Sequence, residues 1–262
     1  MTANAFVQRD QQPGVPPLEL TGERTLPDVP AENYWFRRHL AVYEWIGARV
    51  AGLRVLDMAC GEGYGSEVLS RAAQSVVGVD ANPEAHEHAR LRYRRQNLTF
   101  ERGMVETFGE PGAFDVIVFL QTIEHVQDPQ GVLEHFRELL APGGVAYVST
   151  PNVLTLAPSG KAKSDNPWHL REYRAGEFGQ LCRSAFDRVE LLGIFHARKL
   201  LVHAVAVRVG WDRVHRALGI TSAFYDRFVP AISTSDFALR APGGRRRVSL
   251  DAALDFLAVC PA

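Results

Sequence analysis

Val55–Ser66 reads VLDMACGEGYGS, an apolar run that ends in an acid and meets three alternating glycines before a new apolar periodicity begins. A buried strand turning sharply into a helix fits this pattern, and the glycines let a backbone approach a ligand closely. The ligand is not read as a phosphate. In the dinucleotide fingerprint the third glycine falls three residues after the second, whereas here the spacing is Gly61, Gly63, Gly65. Asp57 stands four residues before the first glycine, and a carboxylate beside the turn suits a positively charged ligand. The next apolar run, SVVGVD, ends in Asp80, which can accept two hydrogen bonds from a ribose diol.

Outward from this turn, apolar runs alternate with helical spacing: RVLDMA, EVLSRAA, SVVGVD, NPEAHEHARLRYRRQ, LTFERG, FDVIVFL, PQGVLEHFRELL, GVAYVST. Strands buried on both faces and separated by helices imply an α/β fold with a doubly wound, mostly parallel sheet. Ligands in such sheets sit beyond the carboxyl ends of the strands. Before the core, ENYWFRRHLAVYEWIGARVAG spaces Tyr34, Trp35, Leu40, Tyr43 and Ile46 as a helix ending by Gly52. The expected organisation is a disordered tail over 1–17, a leading segment and helix over 18–53, a core over 54–197, a helical cap over 198–248 and a final core strand over 249–262.

At 262 residues, 46% hydrophobic and 23% charged, the composition is that of an ordinary globular chain. The net charge of −1 gives no general attraction to nucleic acid or anionic membrane. The short basic stretches ARLRYRRQN and GGRRRVS read as solvated surface, so no nucleic-acid partner is expected. Three scattered cysteines, with neither metal-ligand nor disulfide spacing, suit a reducing compartment. With no signal peptide and no run long enough to span a bilayer, a soluble cytoplasmic protein is expected.

Taken together, VLDMACGEGYGS, VVGVDANPEA, FDVIVFLQTIEHVQDP and LLAPGGVAYVSTPN resemble the class I S-adenosylmethionine-dependent methyltransferases with a type 11 domain, over roughly residues 54–195. The resemblance implies a Rossmann-like sheet of seven strands whose last, ALDFLAVC, is reversed. It implies S-adenosylmethionine as cofactor. Gly61, Gly63 and Gly65 would shape the methionine pocket, with Asp57 beside them. Asp80, followed by Ala81, would grip the ribose. Met104 and Val105 would line the adenine, Leu120 and Gln121 would pass behind the sulfonium, and Arg37 would face the cofactor carboxylate.

Methyl transfer from a sulfonium is an in-line displacement that aligns the acceptor, excludes water and, for a hydroxyl, removes a proton. QTIEHV places Glu124 and His125 at the mouth of the site, His125 as base and Glu124 to orient it or bind substrate. The loop NPWHLREY contributes His169 as second base candidate, Trp168 as a stacking face, and Arg171 and Glu172. Glu23, Arg24 and Tyr34 are placed on the acceptor from the leading segment. The run after the fourth core strand is not the Asn/Asp-Pro-Pro-aromatic pattern that accompanies nitrogen methylation in similar enzymes, so an oxygen acceptor is expected. No divalent metal is expected, since no Asp-Asp pair is present.

TGERTLPD, ENYWFRRH, STPN, NPWHLRE and GIFH together resemble a narrower actinobacterial group linked with methylglucose lipopolysaccharide synthesis. This implies a small-molecule or oligosaccharide substrate methylated on a carbohydrate hydroxyl. A quinone, lipid or other natural-product hydroxyl is the alternative, and a cofactor-binding module without turnover is the alternative from another class. The oligomeric state stays open.

Overall fold

The computed structural model describes residues 5–8, 11–20, 24–157, 161, 163–243 and 248–262. Along the chain these form β1 (Ala5–Phe6), β2 (Leu18–Glu19), α1 (Asn33–Gly47), β3 (Arg54–Met58), α2 (Tyr64–Ser70), β4 (Ser75–Asp80), α3 (Pro83–Arg92), β5 (Leu98–Arg102), β6 (Phe114–Leu120) and α4 (Pro129–Leu139). There follow β7 (Leu140–Pro151), α5 (Val153–Leu156), α6 (Ala175–Ala185), β8 (Glu190–His196), α7 (Arg198–Arg208), α8 (Trp211–Ala217), α9 (Thr221–Phe228), β9 (Phe237–Arg240) and β10 (Asp255–Pro261).

Strands β3 to β10 form one sheet in the order β5-β4-β3-β6-β7-β10-β8-β9. β3 pairs in parallel with β4 and β6, Val55 lying opposite both Val76 and Val116. β10 runs antiparallel between β7 and β8, as the resemblance implied for ALDFLAVC. The count differs from the expected seven. Phe237–Arg240 adds an eighth strand antiparallel to the edge strand β8.

Successive strand residues enter opposite cores, which is why these runs are apolar without alternation. Val55, Val76, Val118 and Leu257 pack under α1 and α2, in the cluster that holds Ile46 and Leu69. Leu56, Ile117, Phe119 and Phe256 pack under α4 and α6 with Phe136 and Phe178. Helix starts follow local chemistry: Asn82 and Asp128 accept backbone N–H bonds in the first turns of α3 and α4, each followed by a proline.

Two terminal expectations change. The described residues before Leu18 are not a loose tail: β1 pairs antiparallel with β2, and the Gln8 amide donates to buried Glu62 at 2.9 Å. His88 of α3 donates from Nδ1 to the Pro16 carbonyl at 2.7 Å. Among the described residues of 198–248 the α-helices end at Phe228, with a break at Gly210, whose φ of +100° favours glycine. It lies beside the start of α1, where Asn33 Nδ2 donates to the Val229 carbonyl at 2.8 Å and to the Ile232 carbonyl at 3.0 Å.

Candidate active site at the carboxyl edge of the sheet

The glycine turn is bent by three residues in left-handed backbone, Ala59 at φ +58°, Gly61 at φ +57° and Gly63 at φ +94°. Asp80, from the end of β4, ties it down: one carboxylate oxygen accepts Gly61 N–H at 2.8 Å and the other accepts Asn82 N–H at 2.9 Å. A carboxylate carries about four acceptor positions, so this leaves capacity for a diol. A Cβ added at Gly61 would meet nothing within 4 Å, so this glycine faces open space. The other two glycines serve packing. A Cβ at Gly65 would stand 2.1 Å from the Tyr43 ring of α1, and one at Gly63 2.8 Å from Ala89 of α3.

Asp57 also corrects the sequence reading. It is wholly buried, accepting from the Tyr43 hydroxyl at 3.1 Å and the Ser66 hydroxyl at 2.6 Å, and it borders none of the cavities at this edge. Burial pushes its pKa up to about 7 against those two hydrogen bonds. Its work is to hold α1 and α2 around the turn.

Three cavities adjoin here. One of about 290 Å³ lies over the ends of β3 and β4, walled by Gly61, Asp80, Ala81, Met104 and Val105. A narrow one of about 90 Å³ runs between the turn and α1, past Tyr43, Tyr64 and Leu120. The third, about 350 Å³, is walled by Trp35, His39, Glu124, His125, Asn166 and His169, within the ~300–1,000 Å³ range of small-molecule sites. Arg24 and Gln121 border all three. Gln121 ends β6 in left-handed backbone at φ +52°, its side-chain amide donating to the Ser149 hydroxyl at 2.9 Å. Such backbone in a residue with a side chain is uncommon and clusters at working sites.

The first two cavities fit S-adenosylmethionine: a diol-accepting carboxylate, an open face at Gly61 and a narrow arm toward a guanidinium. In the third, Glu124 is buried, accepts from the Thr150 hydroxyl at 3.0 Å, and has its pKa pushed up to about 8 by burial. His125 donates from Nδ1 to the Trp168 carbonyl at 2.9 Å, which makes Nε2 the unprotonated nitrogen of the neutral ring. His169 donates from Nδ1 to Glu172 at 2.8 Å and accepts at Nε2 from the Asn166 amide at 2.9 Å. Burial raises the Glu172 pKa, but hydrogen bonds from Ser164 and His169 outweigh it and leave it lowered. Glu124, His125 and His169 also offer ligand atoms within 4.8 Å of one another, a group able to hold a divalent ion that the sequence did not lead us to expect.

Several expected residues lie elsewhere. Arg37 points along α1, donating to Asn33 at 3.1 Å and stacking on Phe36, so the cation at the narrow cavity is Arg24. Tyr34 turns away to bond His196 at 2.7 Å. Trp168 is 55% exposed and lends the site only its carbonyl; Arg171 lends its backbone N–H, which donates to the Glu124 carbonyl at 3.1 Å. Glu172 acts through His169. Glu23 lies outside the described residues. Among the described residues, none that walls a cavity here comes from 198–248, so the helices there do not cap the site.

His39 was missed, although the helical spacing of Trp35, His39 and Tyr43 sets them on one face of α1. All three border these cavities. Tyr34 and Arg37, chosen from the same helix, fall on other faces.

A family profile described as a methyltransferase domain matches residues 31–205. The chain is 40% identical over 253 residues to a probable S-adenosylmethionine-dependent methyltransferase of Mycolicibacterium smegmatis, covering 92% of this chain and 94% of that protein. It is 31% identical to the ubiquinone biosynthesis O-methyltransferase of Aromatoleum aromaticum over 58% of this chain and 72% of that one. A methyltransferase structure from Thermotoga maritima, described as a possible histamine N-methyltransferase, superposes with a TM-score of 0.55 at 13% identity, covering 88% and 94% of the two chains. At that identity the likeness concerns the fold alone.

Proposed function

The chain belongs to the S-adenosylmethionine-dependent methyltransferases, and from that premise we propose that it methylates a carbohydrate hydroxyl, the glucose units of a methylated polysaccharide being the first candidate. The observation that carries this is the 350 Å³ cavity itself, whose wall brings His39, Gln121, Glu124, His125 and Asn166 together beside Trp35, a residue 41% exposed. Such a wall hydrogen-bonds a polyhydroxyl acceptor while the indole face covers a sugar ring.

When bound, the cofactor supplies an electrophilic methyl group. Asp80 would take the ribose hydroxyls, Met104 and Val105 the adenine, and Arg24 the carboxylate at the narrow end. Gln121, bordering all three cavities, would stand between donor and acceptor. His125 borders both the adenosine-side and acceptor cavities, so its Nε2 would receive the proton of the acceptor hydroxyl. His169, with its two ring nitrogens taken by Glu172 and Asn166, would shape the acceptor wall.

A second reading, transfer to a phenolic hydroxyl, is favoured by the named reaction of the Aromatoleum relative; both share an oxygen acceptor. The test is incubation with methyl-labelled S-adenosylmethionine and glucose oligomers, mannose oligomers or a dihydroxyphenol. Label on the glucose oligomers is the expected result. Label on the phenol alone replaces it with the second reading, and bound cofactor with no label transferred makes the chain a binding module.

A further inference from the structure

Two imidazoles flank the meeting point of the three cavities from different sides. His125 borders the adenosine-side and acceptor cavities, and His39 borders the narrow methionine-side cavity and the acceptor cavity. His169 borders the acceptor cavity alone of the three. One base suffices for one proton, so the second imidazole at the junction calls for another role.

We propose that His39 holds the hydroxyl next to the one that reacts, so that the site selects a vicinal diol. This rests on the hydroxyl-methylation reading above and narrows its substrate class. No hydrogen bond from another described residue engages the His39 ring, leaving its nitrogens to an acceptor. Its place is set by its neighbour on α1: Arg38 is buried, ion-paired with Asp255 at the start of β10, and donates to the Leu254 carbonyl at 2.7 Å. The charged and titratable groups around it are Arg38 on its own helix, Asp255, the acceptor-cavity residues Arg24, Glu32, Glu124, His125 and His169, and Tyr43, Cys60, Glu62 and Tyr64 on the narrow cavity. Burial holds the ring neutral, with a pKa near 4, Asp255 opposing and Arg38 assisting. A neutral imidazole both donates to and accepts from a hydroxyl, and it does not repel the sulfonium charge beside it.

The test compares an oligoglucoside with its monodeoxy analogues in the full-length protein, product analysis identifying the methylated position. A site built around a hydroxyl leaves its own polar group unpaired when that hydroxyl is missing. The wild-type protein should therefore favour the intact diol over the analogue lacking the neighbouring hydroxyl by about 100-fold in kcat/KM. His39→Leu should bring that ratio to within about threefold, chiefly by loss on the diol, and His39→Gln should restore part of it. Thermal midpoint and calorimetric S-adenosylmethionine binding report whether the variants remain folded and loaded. A ratio unchanged in His39→Leu, or equal losses on both acceptors, overturns the inference. Wild-type turnover without preference for the diol overturns it while leaving hydroxyl methylation standing; wild-type failure on every hydroxyl acceptor removes both.

Discussion

Glu124 places a carboxyl group out of water with one hydroxyl donor, and its pKa is pushed up to about 8 from an ordinary 4.5. Below the unfolded value both states are protonated and the group costs nothing. Between the two values the unfolded chain releases its proton while the folded chain keeps it, so stability falls as pH rises and the loss is complete above the folded value. Thermal unfolding between pH 5 and pH 8 should show Glu124→Gln losing less stability than the wild-type protein, the difference being on the order of a few kcal/mol. Equal slopes would exclude this account. Asp57, raised to about 7, adds a slope of the same sign in both proteins. Asp57 also shows where single residues escape sequence reading. A carboxylate before a glycine turn has the same letter whether it faces ligand or core, and here Tyr43 and Ser66, from two helices, turn it inward. Gly61 borders two of the cavities, whereas Gly65 owes its lack of a side chain to Tyr43, and Gly63 to Ala89 and to its left-handed backbone.

At the scale of elements, Arg38 and Asp255 join α1 to β10 with side chains 5% and 2% exposed. Removing one member of such a pair strands a buried charge, whereas replacing both with apolar groups does not. Arg38→Met should lower unfolding stability by about 3–5 kcal/mol in denaturant titration. The double variant Arg38→Met/Asp255→Leu should recover most of that loss, and an equally unstable double variant would show that the pair contributes through attraction. The core strands and α1, α3, α4 and α6 were legible because each carries a local signal: an apolar run in the strands, an apolar period in α1, α4 and α6, and the Asn82–Pro83 start in α3. β9 was not, since FALR is four residues whose pairing depends on the edge of β8. The β1–β2 clasp was hidden for the same reason: what holds it, Glu62 and His88, lies more than 40 residues away.

Across the whole molecule, α7 packs on β8, α8 on α7 and α9 on α8, with none of them walling the cavities and with Val202 69% and Val209 81% exposed. Substituting surface positions away from packed contacts changes free energies by about 0.5 kcal/mol or less. Val202→Lys/Val209→Lys should thus leave turnover within about twofold of wild type, and a large loss would show that these helices do close over the acceptor. Among the described residues, no helix is long and apolar enough to cross a membrane. The sequence by itself determined the doubly wound sheet and the glycine turn with its strand-end acids, because buried strands, turn glycines and the acid at a strand end are local patterns, whereas the reversed last strand and the cofactor class followed from the family resemblance. Only the tertiary structure decided which residues share a wall: that Asp57, Arg37 and Tyr34 turn away, that Arg24 stands at the junction, and that His39 lines the 350 Å³ cavity. Those outcomes depend on which side of each helix meets the sheet and how distant loops pack against it, a geometry that no single segment of the chain contains.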